Sequence, residues 1–233
     1  MCHASCINFG IQNLTEKEIQ GKRVIEVGSY NVNGSLRNII EEMSPAEYIG
    51  VDITEGPGVD IICNADDLVK KFGENSFDIV ISTEMMEHIR NWREVISNLK
   101  KLCKPNGIIL ITTRSYGFEY HGWPYDFWRY EVEDMKEIFS DCNIQSLEPD
   151  NLHSGVFIKA IKPINFVEKN FKDYKLHNIV VNQRRKEFHN INYLNPAFTW
   201  QILVIRWNKL RVEQFLQKVQ VKLKDLKRGF SGH

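Results

Sequence analysis

Long apolar runs are missing from the 233-residue sequence: its longest aliphatic stretches, Ile108–Ile111 and Ile202–Ile205, have four residues each. A membrane-spanning helix needs about 20, so none is expected. The opening segment, Met1 to Gly10, has no apolar signal-peptide core, which makes the cytoplasm the expected compartment. Cysteine is scarce and odd in number, five in all, which points to reduced thiols rather than a disulfide framework. No sign of charge dominates, with 30 Lys and Arg against 30 Asp and Glu, so the chain as a whole is not built as a polyelectrolyte. Internal repeats and low-complexity tracts are absent as well.

What is present is enough for a packed core. Hydrophobic residues make up 42% and aromatics 11%, which argues against disorder, and the length suits one domain with an extension or two small domains. The neutral total hides an asymmetry. Residues 1–158 hold 14 Lys and Arg and 25 Asp and Glu, whereas residues 159–233 hold 16 and 5. An acidic body precedes a basic tail.

Hydrophobic periodicity in the first 160 residues alternates between strand and helix. Strands are expected at Arg23–Val27, Glu47–Asp52, Val59–Cys63, Ser76–Ser82 and Ile108–Thr113, with closing strands at Gln145–Glu148 and Val156–Ala160. Helical stretches lie between them: Ser35–Met43, the apolar face Trp92, Val95, Ile96, Leu99 and Leu102 ended by Lys104-Pro-Asn-Gly107, and Glu131–Phe139. Such alternation predicts an α/β fold, a doubly wound, mostly parallel sheet with helices on both faces. A domain over 1–162, an irregular linker over 163–195 and a basic amphipathic helical extension over 196–233 complete the expected organisation.

In a doubly wound sheet a ligand sits beyond the carboxyl ends of the strands. The first strand ends in Glu26-Val-Gly28-Ser-Tyr-Asn-Val-Asn-Gly34, where Gly28 lets a ligand approach the backbone. Asn31, Asn33 and Gly34 all tolerate left-handed dihedrals. The second strand ends in Asp52, 24 residues after Gly28, a spacing suited to a carboxylate that grips ribose hydroxyls.

Taken in order, Val-Ile-Glu-Val-Gly, Tyr-Ile-Gly-Val-Asp, Cys-Asn-Ala-Asp-Asp-Leu, Phe-Asp-Ile-Val-Ile-Ser-Thr-Glu-Met-Met-Glu-His and Lys-Pro-Asn-Gly-Ile-Ile-Leu-Ile-Thr resemble the class I S-adenosylmethionine-dependent methyltransferases over residues 21–160. The block His121–Tyr130 resembles a subgroup linked to sugar and cell-surface polysaccharide pathways. The resemblance implies a Rossmann-like methyltransferase fold and S-adenosyl-L-methionine as cofactor. It assigns Glu26 to the cofactor's methionine end, with Gly28, Ser29 and Gly34 in the loop beside it, and Asp52 to both ribose hydroxyls. Asn64 and Ala65 fall in the segment that reads the adenine edge, and Ser82 and Thr83 at the end of the fourth strand beneath the sulfonium. It implies a small-molecule or saccharide acceptor, lipid-linked in one version.

A sulfonium is already a strong methyl donor, so the protein's task is positioning and electrostatics, plus a base where the acceptor is a hydroxyl. His121 and Asp126 are the expected catalytic pair, with His88 and Glu87 as further base candidates; His88 also reads as a structural histidine. Arg129 with Trp123, Tyr125, Trp128 and Tyr130 reads either as a sugar-stacking platform or as packing. Cys2-His3-x-x-Cys6 has metal-like spacing but lacks a fourth ligand, so no metal is assigned. A fold that has lost transfer and serves as a binding module is the alternative to an enzyme. A nicotinamide-dependent reductase fits the long Gly28–Gly34 stretch poorly. The tail 200–233 carries eight Lys and Arg and two Asp and Glu, interleaved with Trp200, Trp207, Phe215 and Phe230. It reads as a helix docked on the domain or on a second subunit of a homodimer, or as one lying on an anionic membrane surface. Nucleic acid is the least favoured partner.

Overall fold

The computed structural model describes residues 3–122, 125–196, 198–200, 202–204 and 207. The chain divides into two compact units, residues 1–188 and 189–233. The first unit opens on α1 (Ala4–Asn13) and α2 (Glu16–Ile19), followed by β1 (Arg23–Val27), α3 (Arg37–Glu42), β2 (Glu47–Asp52), β3 (Ile61–Ile62) and α4 (Leu68–Phe72). Then come β4 (Phe77–Thr83), α5 (Trp92–Leu102), β5 (Cys103–Arg114), β6 (Trp128–Arg129) and α6 (Val132–Ile138). The unit closes with β7 (Asn143–Asp150), β8 (Gly155–Ile161), β9 (Leu176–Asn178) and β10 (Gln183–Arg185).

Seven strands form one sheet in the order β3-β2-β1-β4-β5-β8-β7. The first five run parallel, while β8 is antiparallel to both β5 and β7. The sheet is therefore mixed and mostly parallel, as expected. Strand β4 is apolar almost throughout because it is central and covered on both faces. Side chains alternate across the sheet. Val24, Ile79, Ile81, Ile108 and Leu110 pack one face against Phe9 of α1 and Ile40 of α3. On α5, Trp92, Val95, Ile96, Leu99 and Leu102 are all buried, as their spacing predicts. Each such residue stabilises by about 1.5–3 kcal/mol. Because β1 lies between β2 and β4, the chain reverses its winding there, and a crevice is expected beyond the carboxyl ends of β1 and β4.

Several expected elements differ. The strand expected over Val59–Cys63 shrinks to Ile61–Ile62: before it the Gly50 N–H goes to the Asp60 carboxylate at 2.7 Å in place of a backbone carbonyl, and Arg37 holds that carboxylate at 2.8 and 3.1 Å. Lys104-Pro-Asn-Gly107 ends α5 but belongs to β5 rather than to a loop. The register with β4 shifts between Phe77 and Ile79, and Asn106 takes φ 61°.

The stretch after Pro163 also departs from the irregular linker expected over 163–195. Residues up to Phe188 lie within the first unit, where β9 and β10 join β6 in a three-stranded sheet. One guanidinium ties this strap down: Arg93 on α5 donates to the carbonyls of Phe171 at 2.6 Å, Lys186 at 2.6 Å and Tyr174. Asn178 adds a hydrogen bond to the Phe127 carbonyl at 2.9 Å.

The second unit holds a short 3-10 helix at Asn190–Leu194 and exposed apolar side chains at Ile191, Leu194, Trp200 and Trp207. Most of the expected helical extension, residues 208–233, lies outside the described residues. No described helix is long and apolar enough to cross a membrane.

Candidate active site

Glu26 sits near the end of β1 and is fully buried. Tyr48 donates to its Oε2 at 2.6 Å, Ser35 to the same oxygen at 3.3 Å, and Thr83 to Oε1 at 3.3 Å. Burial pushes the Glu26 carboxyl above its ordinary value, and the three hydroxyl donors offset this only in part. Gly28 follows with φ 84°, and a Cβ there would meet the Met85 side chain at 2.7 Å, so only glycine lets the loop lie against the turn after β4. Gly34 closes the loop with its N–H on Asn31 Oδ1 at 2.9 Å.

Asp52 ends β2 half-buried. Its Oδ2 accepts the Tyr30 N–H at 3.2 Å and its Oδ1 the Thr54 N–H at 3.1 Å. Two backbone bonds orient the carboxylate and leave lone pairs on both oxygens for a diol. Asn64 caps the 3-10 turn Ala65–Asp67, its side-chain oxygen taking the Asp66 N–H at 3.1 Å; Asn64 is exposed and Ala65 buried. Three buried hydroxyls at the carboxyl ends of the strands, Ser29 Oγ, Ser82 Oγ and Thr112 Oγ1, have no hydrogen-bond partner. Buried polar groups are normally paired, so these three hydroxyls are exceptions at this end of the sheet.

Beyond β4 and β5 lies a second constellation. Thr113 on β5 donates to Glu87 Oε2 at 2.9 Å, and Glu87 Oε1 stands 3.8 Å from Nε2 of both His88 and His121. His121 Nδ1 lies 3.0 Å from Asp126 Oδ2. Asp126 is itself clamped by Arg129 at 2.6 and 2.9 Å, and both side chains are fully buried. Burial alone would raise the Asp126 carboxyl; the hydrogen bonds from Arg129 and His121 reverse this and hold it well below the usual carboxylate range.

Residues 8–149 match the family model described as a methyltransferase domain. The chain belongs to that family. A phthiotriol/phenolphthiotriol dimycocerosates methyltransferase of Mycobacterium ulcerans is 26% identical over 132 residues, 52% of this chain and 48% of that protein. A ubiquinone biosynthesis O-methyltransferase of Rickettsia typhi is 31% identical over 114 residues, 42% of this chain and 46% of that protein. The chain thus spans about half the length of these relatives. Among solved structures, an S-adenosylmethionine-dependent methyltransferase of Mesorhizobium loti superposes with TM-score 0.53 at 15% identity, over 66% of this chain and 96% of that one. These likenesses confirm the α/β methyltransferase fold.

Within this methyltransferase domain the expected residues fall into two groups. Glu26 and Thr83 share a hydrogen bond, and Gly28, Ser29, Gly34 and Asp52 line the loops beyond β1 and β2. His121 and Asp126 lie 3.0 Å apart, and Glu87 and His88, offered as further base candidates, meet them. The aromatic platform is not assembled: Trp128, Arg129 and Tyr130 are core side chains, Tyr125 is exposed, and Trp123 lies outside the described residues. The Cys2-His3-Cys6 spacing does not build a cluster among the described residues, since His3 stacks on His153 at 4.6 Å and Cys6 donates to Glu84 at 3.3 Å. Sequence reading also missed the buried pair of Arg114 with Glu84, whose left-handed φ of 54° follows β4 directly.

Proposed function

We propose that this chain is an S-adenosylmethionine-dependent methyltransferase whose acceptor is a hydroxyl on a small molecule. Membership in the methyltransferase-domain family supports the reaction class, and the unpartnered Ser29, Ser82 and Thr112 hydroxyls fit a polar cofactor at the strand ends. When bound, S-adenosylmethionine supplies an activated methyl group. Glu26 would face its methionine end, Asp52 would take the ribose hydroxyls, and Asn64 and Ala65 would border the adenine.

The acceptor's chemistry is read from the other constellation. A hydroxyl must lose a proton as it is methylated, and the observation that carries this reading is the half-buried His121 held through Nδ1 by Asp126. That bond leaves Nε2 as the other nitrogen, 3.8 Å from Glu87 Oε1 on a partly exposed ring. The relatives named above for ubiquinone biosynthesis transfer to oxygen by their name, which agrees. Of the rings expected as a sugar platform, Trp128 and Tyr130 are buried and Tyr125 alone is exposed among the described ones, which favours a phenolic or lipid-like alcohol. The basic, aromatic-studded tail 200–233 supports peripheral contact with an anionic membrane surface, where a lipid-like acceptor would reside.

Radiolabelled methyl transfer to a panel of phenols, polyprenyl alcohols and saccharides tests the proposal. Wild type should methylate an alcohol or phenol, and His121→Ala should lower that rate while leaving cofactor affinity nearly unchanged. Cofactor binding with no transfer to any acceptor class would favour the binding-module alternative. Sedimentation with anionic vesicles at low salt, with and without residues 200–233, tests the membrane contact; no co-sedimentation of the full chain sinks it.

A further inference from the structure

Glu87 is fully buried, yet its carboxylate oxygens have different surroundings. Oε2 accepts the Thr113 hydroxyl, whereas Oε1 has no hydrogen-bond partner. The 3.8 Å separations from Oε1 to Nε2 of His88 and of His121 are too long for hydrogen bonds.

The protons on those imidazoles can be placed by chemistry. His88 Nδ1 is bonded to the Tyr125 carbonyl, which can only accept, so Nδ1 carries the hydrogen. His121 Nδ1 faces Asp126, kept ionised by Arg129, and its other neighbour is the Glu119 carbonyl at 3.3 Å. Its Nδ1 carries the hydrogen as well. With Nδ1 engaged in each ring, Nε2 is the nitrogen that faces Glu87 Oε1, an oxygen without a hydrogen-bond partner. Three potential ligand atoms thus lie within 4.8 Å of one another, and one of them, the buried Glu87 Oε1, has no hydrogen-bond partner.

We propose that Glu87 Oε1, His88 Nε2 and His121 Nε2 bind a divalent transition-metal ion of the zinc, iron or manganese type. Two imidazoles and one carboxylate form a ligand set that suits such ions and leaves coordination positions open. With bonds of about 2.1 Å, ligand atoms in a tetrahedral site stand ~3.4 Å apart, so the two 3.8 Å spacings from Glu87 Oε1 need to close by only a few tenths of an ångström, and the third pair, within 4.8 Å, by more. The outer contacts are those of a metal site. Each imidazole is oriented through Nδ1, one by a backbone carbonyl and one by a carboxylate, and the ligating carboxylate receives a hydroxyl. Gly122 belongs to the same design: a Cβ there would meet His88 Cε1 at 2.9 Å, so the bare glycine leaves room for the ring. Both histidines are partly exposed, at 28% and 19% for the side chains, so an acceptor can reach the open positions. What the ion would do rests on the methyl-transfer reading. It would bind the acceptor hydroxyl and lower its pKa, the proton leaving to solvent, with His121 serving as ligand instead of base.

The test uses untagged full-length chain, stripped with chelator and titrated with Co2+ by visible absorption and calorimetry, then with Zn2+ in competition. One Co2+ per chain is expected. Glu87→Gln, His88→Gln and His121→Asn should each weaken it by at least ~100-fold, and Glu87→Gln keeps an oxygen for Thr113, so folding can be checked by its melting curve. His3→Ala should leave binding unchanged, which separates this cluster from the amino-terminal Cys and His residues. No saturable binding, or binding indifferent to all three substitutions, overturns the proposal. Because Co2+ uptake needs neither cofactor nor acceptor, its failure would leave the methyl-transfer reading standing, and absence of methyl transfer would leave the metal site standing.

Discussion

Two buried glutamates at the carboxyl ends of neighbouring strands have opposite environments. Glu26 near the end of β1 receives three neutral hydroxyls, one from each of Tyr48, Ser35 and Thr83, and both of its oxygens are engaged. Glu87 after β4 receives one hydroxyl and turns its other oxygen toward two imidazole nitrogens. The first is a satisfied acid in a low-dielectric pocket, raised toward its neutral form. The second is an incomplete ligand set. Burial of a carboxylate therefore does not by itself define a role; the number and sign of the groups around it do.

The largest effect expected from breaking this contrast is at the cofactor end. Asp52→Ala removes two charge-assisted hydrogen bonds to ribose, worth ~1.5–3 kcal/mol each. Calorimetry with S-adenosylhomocysteine should show the loss, and equal affinity in both proteins would mean that Asp52 does not hold the ribose.

Next comes the prop beneath the other site. Asp126→Ala leaves the fully buried Arg129 without its carboxylate, at a cost of about 3–5 kcal/mol in chemical denaturation. Asp126 has a folded-state pKa below its unfolded value, so its contribution is present above the usual carboxylate range and fades only in strong acid. A stability loss for Asp126→Ala that vanished at neutral pH would contradict this.

Gly122→Ala sharpens the comparison further, because its Cβ must displace the His88 ring. A weakening of Co2+ binding by about tenfold is expected, with cofactor affinity untouched, since misplacement of a ligand by a fraction of an ångström is felt locally. The smallest effect should be the rise in Tm of Glu26→Gln, a few degrees at neutral pH. Glu26 has a raised folded-state pKa, so relative to the unfolded chain it favours folding only in acid and opposes it once ionised. The gain should therefore shrink as pH falls through the carboxylate range, and a gain that grew in acid would refute the assignment.

Most of the fold was legible because parallel strands covered on both faces read as continuous apolar runs, and β1, β2 and the α5 face appear where the pattern places them. The strap over 171–186 was not, since its order comes from Arg93, a side chain some 80 positions away that binds its carbonyls. Sequence pattern carries no trace of a hydrogen bond to a backbone oxygen. The aromatic run Trp123–Tyr130 misled for a related reason: alternation within a short loop does not tell which rings turn inward.

By itself the sequence determined the sheet and the family, and it supplied the proposed cofactor-side residues Glu26, Gly28 and Asp52, because those depend on local period and on spacing along the chain. The tertiary structure alone decided that Glu87, His88 and His121 share one point. Their convergence requires β4 and β5 to lie side by side and Asp126 to be anchored by Arg129. Only folding brings a loop more than 30 residues downstream against the turn after β4, and only there do one carboxylate and two imidazoles meet.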